Sequence, residues 1–186
     1  MYDPVGIMSE RLIIKEADST DLDTLLNLWS NPEVMRLAGY PSPQGSSLGD
    51  VESWWRDYQF RRTEGPWERQ FVIKLKDGPF IGESGWSKID DPGEIRGFDI
   101  EPRLITVITD IKLDPNYWGL GYAPEAMKEL LWWAYDEAGV DVILVLAHRK
   151  NEAAKKAYEK CGFKDTGFLA KGEYRIFSLS KEEADY

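Results

Sequence analysis

Two stretches of the chain hold residue types at spacings that chemistry could use. The first is the run Asp114-Pro-Asn-Tyr-Trp-Gly-Leu-Gly-Tyr-Ala-Pro-Glu125. Gly119 and Gly121 let the backbone turn tightly and keep side chains out of a ligand's path. Pro124 suits the first turn of a helix, where a missing N–H costs nothing. Unpaired N–H groups there, with the positive end of the helix dipole, would receive a phosphate or pyrophosphate. The second stretch is Asn151-Glu-Ala-Ala-Lys-Lys-Ala-Tyr-Glu-Lys-Cys-Gly-Phe163, with an N-capping residue in front and a glycine stop behind. Asn151, Lys155 and Tyr158 are four and three residues apart and so share one helix face.

Two nucleotide-binding patterns fail against the first stretch. A P-loop needs Gly-Lys-Ser/Thr, and this chain has Gly121-Tyr122-Ala123. A dinucleotide fingerprint needs a third glycine where Pro124 stands. Asp141 also precedes the apolar run Val142–Leu146, whereas a ribose would be gripped at that run's carboxyl end.

These groups need elements to position them. Leu104–Leu113 reads as one strand entering the glycine turn, and Pro124–Ala138 as the helix leaving it. Val142–Ala147 is the next strand, followed by the Asn151 helix and a hairpin of Lys164–Ala170 with Tyr174–Ser180. Upstream, Met1–Met8 reads as a loose leader and Arg11–Lys15 as a short strand. Asp18-Ser-Thr-Asp21 caps an amphipathic helix whose Leu22, Leu25, Leu26 and Trp29 should face a core. Breakers in Pro41–Ser47 predict a loop, and a helix follows from Leu48 to Arg62. Phe71–Leu75 and Phe80–Lys88 predict a hairpin around Lys76-Asp-Gly-Pro79, with a further turn at Asp90-Asp-Pro-Gly93. This order favours a mixed α/β sheet with helices on both faces.

The order strand, glycine turn, helix, strand, Asn-capped helix bearing Tyr, then Gly-Phe, resembles the GNAT (Gcn5-related N-acetyltransferase) superfamily. Ser9-Glu-Arg-Leu-Ile-Ile14, Asp21, Asn31-Pro-Glu-Val-Met35 and Phe80-Ile-Gly-Glu83 extend the likeness towards its ribosomal-protein alanine N-acetyltransferase branch. Asn116 and Pro124 depart from the family pattern, which often has Gln or Arg at the first position and Thr at the second. The resemblance implies a single GNAT domain over residues 9–186, with a mostly antiparallel twisted sheet between helices. It implies acetyl-CoA as co-substrate, its pyrophosphate held by Trp118, Gly119, Leu120, Gly121, Tyr122 and Ala123. Amides near Lys112 and Leu113 would serve the thioester carbonyl and pantetheine, with Asn151 and Lys155 completing the cofactor site. Tyr158 would protonate the departing thiolate, and its ordinary pKa of about 10 suits that exchange.

A thioester is already activated, so direct attack by an amine suffices, and no Ser–His–Asp pattern is present. Asp110 stands in an apolar strand and is the leading proton acceptor or amine anchor. His148, Glu83 and a water relay are the other routes for that proton. Trp54, Trp55, Tyr58 and Trp67, with Asp50, Glu52, Asp57 and Glu64 nearby, offer either a cation-holding region or core packing.

A formal charge of −10 disfavours nucleic-acid binding and favours cationic partners. Within this acidic chain Arg149, Lys150, Lys155, Lys156, Lys160 and Lys164 form a basic island that suits a polyanionic cofactor. No apolar run is long enough to span a membrane, and the first residues lack a signal pattern. One cysteine and one histidine make a metal site improbable, and the lone thiol fits a reducing cytoplasm. The expected acceptor is a peptide or protein N-terminal amine, ahead of a polyamine or aminoglycoside. A non-catalytic acyl-CoA-binding module is the rival reading, and a homodimer is compatible with either.

Overall fold

A computed structural model describes residues 5–38, 47–90, 95 and 100–185. Its strands are β1 (Gly6–Met8), β2 (Leu12–Glu16), β3 (Arg69–Leu75), β4 (Phe80–Lys88), β5 (Thr106–Thr109), β6 (Lys112–Leu113), β7 (Val142–His148), β8 (Lys164–Ala170) and β9 (Tyr174–Ser180). They form one sheet in the order β1-β2-β3-β4-β5-β7-β9-β8, with β6 on β4. Only β5–β7 is a parallel pair among the described residues; the rest are antiparallel. Among the described residues five α-helices flank the sheet: α1 (Leu22–Trp29), α2 (Pro32–Ala38), α3 (Leu48–Arg61), α4 (Tyr122–Trp132) and α5 (Glu152–Lys160). No described helix is long and apolar enough to cross a membrane.

Within β3 the run Phe71–Ile73 is apolar without alternation because both faces of the strand are covered there. Phe71 and Ile73 face α4 and the turn that follows it, where Phe71 and Trp133 meet edge to face at 4.9 Å. Val72, between them, faces Leu25 of α1 and Trp54 of α3. Helix starts follow the expected chemistry. Asp18 with Asp21 forms a capping box ahead of α1, and Ser47 with Asp50 forms another for α3. Asn151 caps α5 by accepting from the Ala154 N–H.

Three expectations change, and one helix joins those the sequence outlined. Gly6–Met8, expected within a leader, pairs with β2, and the Glu16 N–H donates to Val5 O. Pro32–Ala38 is a helix, started by the Asn31 side chain accepting from the Glu33 N–H. The Pro124–Ala138 helix begins two residues earlier, on Gly121, and closes in a π-helical turn over Trp133–Glu137. The single strand Leu104–Leu113 divides into β5 and β6. The remainder of the leader, loop residues 41–46 and turn residues 91–93 lie outside the described residues.

The division of that strand opens the molecule. Parallel pairing of β5 with β7 ends at Thr109↔Val145, while the ladder to β4 continues through Glu83↔Lys112 and Gly82↔Leu113. Only glycine allows so close an approach, since a Cβ on Gly82 would lie 2.3 Å from Lys112 O. The chain therefore follows β4 and leaves β7, and a cleft of about 770 Å³ occupies the gap.

Candidate active site

One half of the cleft is made largely of backbone. The Asp110 N–H donates to Gly85 O, and the Asp114 N–H to Ile81 O. Alternation along an antiparallel ladder then turns the Lys112 N–H towards β4 and those of Ile111 and Leu113 away from it. The backbone of Ile111 lies beside the Tyr158 hydroxyl and works against the upward shift of its phenol. Downstream, Gly119 and Gly121 adopt φ of +73° and +82°, a region that disfavours other residues. Gly121 is the N-cap of α4, so the free amides of its first turn open beside it. Trp118 folds back, donating through Nε1 to Leu113 O at 2.8 Å and packing on α2.

Tyr158 lies between this half and the sheet, 6 % exposed, with Phe163 and Phe177 beside its ring. Burial, reinforced by the Asp110 carboxylate, pushes its phenol well above the ordinary range. It therefore holds its proton at neutral pH. Burial likewise pushes the neighbouring Cys161 thiol up to about 11, which leaves it a poor nucleophile.

Strand parity gathers the polar groups on the opposite face. Val72, Glu83 and Lys112 are cross-strand neighbours, as are Gln70 and Gly85 with Asp110 beside them. Lys112 Nζ reaches Asp110 Oδ2 at 2.5 Å and Glu83 Oε1 at 2.8 Å. Burial works against its charge, but Asp110 and Glu83 outweigh that and hold the ammonium well above its usual value. Glu83 is 1 % exposed and also accepts from Trp29 Nε1 and Gln70 Nε2, so its oxygens are committed. Asp110 keeps 37 % of its side chain exposed and opens on the cleft.

The other half is walled by side chains. Trp29 meets Trp54 edge to face at 4.7 Å, and Trp54 stacks on Tyr58 at 5.4 Å with planes 4° apart. The Tyr58 hydroxyl donates to the buried Glu16, which Arg62 also contacts at 2.7 Å. These ties anchor α3 against the sheet and fix the aromatic wall.

Among the expected residues, Asp110, Lys112, Leu113, Trp118, Gly119, Gly121, Tyr122, Ala123, Asn151 and Tyr158 all line the cleft. Leu120 and Lys155 do not. Leu120 is exposed with its carbonyl turned to Arg11, and Lys155 lies near Asp165. Lys156 and Lys160 line the cleft in its place, because α5 turns its Ala154–Tyr158 face inward. Asn151 spends its oxygen on the cap and its amide on Leu37 O. His148 is absent from the lining, and its Nδ1 accepts from the Lys150 N–H. Sequence reasoning missed Trp29 and Gln70 as partners of Glu83. Trp29 reads as one more apolar helix residue, and nothing local marks its ring N–H. Arg11 beside the turn was equally hidden.

A known family accounts for this arrangement. Residues 11–164 match the model of the acetyltransferase (GNAT) domain. The chain belongs to the GNAT acetyltransferases. Like them it is an acetyl-CoA-dependent N-acetyltransferase, moving an acetyl group from acetyl-CoA to an amine. It is 27 % identical to the uncharacterized N-acetyltransferase p20 of Bacillus licheniformis, over 95 % of this chain and 97 % of that one. Its fold is similar to a GNAT-family acetyltransferase from Bacillus anthracis, with TM-score 0.72 and 19 % identity over 96 % and 100 % of the two chains. It is also similar to spermidine N-acetyltransferase from Vibrio cholerae, solved with CoA and spermine, with TM-score 0.71 and 19 % identity over 92 % and 96 %. The mixed, mostly antiparallel sheet between helices is the GNAT fold.

Proposed function

We propose that the acceptor is a small-molecule primary amine, and that it attacks acetyl-CoA directly while both are bound. The observation that carries this reading is the opening of Asp110 onto the cleft between the aromatic wall and Tyr158. Asp110 holds the incoming ammonium and takes a proton from it, directly or through water, freeing the nitrogen lone pair. The amine nitrogen then forms a bond to the thioester carbon, and the carbonyl oxygen becomes an oxyanion. The Leu113 N–H, turned away from β4 on the wall of the cleft, receives that oxygen. As the carbonyl re-forms and the C–S bond breaks, Tyr158 gives its proton to the thiolate. The phenolate regains one from the product nitrogen through water, and Asp110 releases its own to solvent, leaving the neutral amide.

The pyrophosphate of acetyl-CoA belongs at Gly119–Ala123, where the positive-φ glycines and the start of α4 present free amides. Lys156 and Lys160 on the cleft wall add cationic support. A peptide N-terminus is the second candidate acceptor, resting on the likeness to the ribosomal-protein branch. The residues carrying that likeness serve other ends here. Ser9 and Arg11 bind Glu125, Asn31 starts α2, and Gly82 admits β6. Among them only Val34, Met35 and Glu83 line the cleft. The Vibrio cholerae relative, solved with spermine, adds support for a small amine.

The test is CoA release from acetyl-CoA across polyamines, aminoglycosides, simple arylalkyl amines and N-terminal peptides. Turnover confined to small amines is the expected result. Turnover confined to peptides would overturn the acceptor assignment. Binding of acetyl-CoA without turnover on any amine would overturn the catalytic one.

A further inference from the structure

The glycine turn is held from behind by a segment that belongs to neither substrate's wall. Arg11, just before β2, donates through Nε to Glu125 Oε2 at 2.6 Å and through Nη1 to Leu120 O at 3.1 Å. Its Nη2 lies 2.6 Å from the same carboxylate, and its guanidinium covers the Tyr122 ring at 4.2 Å. Ser9 Oγ and the Arg11 N–H both donate to the other oxygen, Glu125 Oε1. These contacts join positions more than a hundred residues apart in sequence, and all fall on the turn or the first turn of α4.

Two physical consequences follow. In a trans peptide the carbonyl and the next N–H point in opposite directions. Drawing the Leu120 carbonyl towards Arg11 therefore aims the Gly121 N–H the other way, on the residue that lines the cleft. Second, Glu125 places a carboxylate in the first turn of α4. That charge suits the helix dipole, yet it would repel an anion bound at the same terminus. Pairing with the Arg11 guanidinium, whose Nε and Nη2 both reach Oε2, offsets it.

We propose that Arg11 is a positioning residue for the donor site, orienting the Leu120–Gly121 peptide and neutralising Glu125 so that the turn accepts a pyrophosphate. This rests on the reading of the turn as the acetyl-CoA pyrophosphate site. Arg11 itself need not touch the ligand.

The test compares acetyl-CoA with S-acetylpantetheine, which carries the same thioester but no pyrophosphate, as donors. The readout is the ratio of their kcat/KM values, which a general loss of folded protein would leave unchanged. R11M should lower the ratio about tenfold, through the acetyl-CoA KM. R11K, which keeps the charge but loses the fork, should fall between R11M and wild type. E125Q should lower it less than R11M, and the double variant R11M/E125Q should recover part of the R11M loss. A ratio unchanged in both R11M and R11K would overturn the proposal. A double variant no better than R11M would overturn its electrostatic half. Wild-type protein that used both donors equally well would instead overturn the pyrophosphate reading, and the clamp with it.

Discussion

The donor wall of the cleft and its acceptor wall are built from different materials. The donor wall runs through Ile111–Pro124, and its working groups are amide N–H bonds aimed by strand alternation, two positive-φ glycines and a helix start. The acceptor wall is assembled from Trp29, Trp54, Tyr58, Gln70 and Glu83, side chains on α1, α3, β3 and β4. A backbone wall needs only the local dihedrals that glycine and proline dictate, so it tolerates Asn116 and Pro124 where the family has other residues. A side-chain wall depends on which distant segments the topology brings together, and it can change with each substitution.

That difference predicts how variants should separate. The largest effect belongs to the group between the two walls. Tyr158→Phe should lower kcat by about 10²–10³-fold with the KM for acetyl-CoA little changed, measured by thiol release. Because its phenol is shifted upward, Tyr158 keeps its proton beyond its ordinary pKa of about 10. The wild-type kcat should therefore show no loss of an acid between about pH 8 and pH 10. A fall in that interval that vanishes in the Phe variant would mean that the buried environment does not act as described.

Next in size is Asp110→Asn, expected to lower kcat/KM for the amine about 10–100-fold while acetyl-CoA binding holds. An equal loss on both substrates would erase the distinction between the walls. On the donor side, Gly121→Ala forces a Cβ onto a residue at φ +82°, with Arg11 Nη2 3.5 Å away. Strain of about 1–2 kcal/mol should weaken CoA binding about tenfold by calorimetry and leave the amine KM alone. The smallest effect should come from the acceptor wall. Trp54→Ala should raise the amine KM about two- to fivefold with no change in CoA affinity.

The same contrast explains what could be read from the chain in advance. The glycine turn, the Asn151 cap, the Tyr158 helix and the last hairpin are written in contiguous residues, and each was legible. The break between β5 and β6 was not, because Thr106–Leu113 is apolar enough for one strand. The break arises where β6 follows β4 past Gly82 while β7 departs. Lys155 looked like a site residue by helical spacing, but spacing identifies a face without saying which neighbour covers it. Here the neighbour is Asp165 of β8. Arg11 and Trp29 act through partners far along the chain, Glu125 and Glu83, and only the folded sheet pairs them.

Both walls must be occupied together for the acetyl group to pass directly between them. The most direct test is an initial-velocity experiment with acetyl-CoA and an accepted amine varied against each other. Intersecting double-reciprocal lines, and no acetylated protein after incubation with acetyl-CoA alone, are the predicted result. Parallel lines with an acetyl group trapped on the protein would contradict the account and require a covalent intermediate.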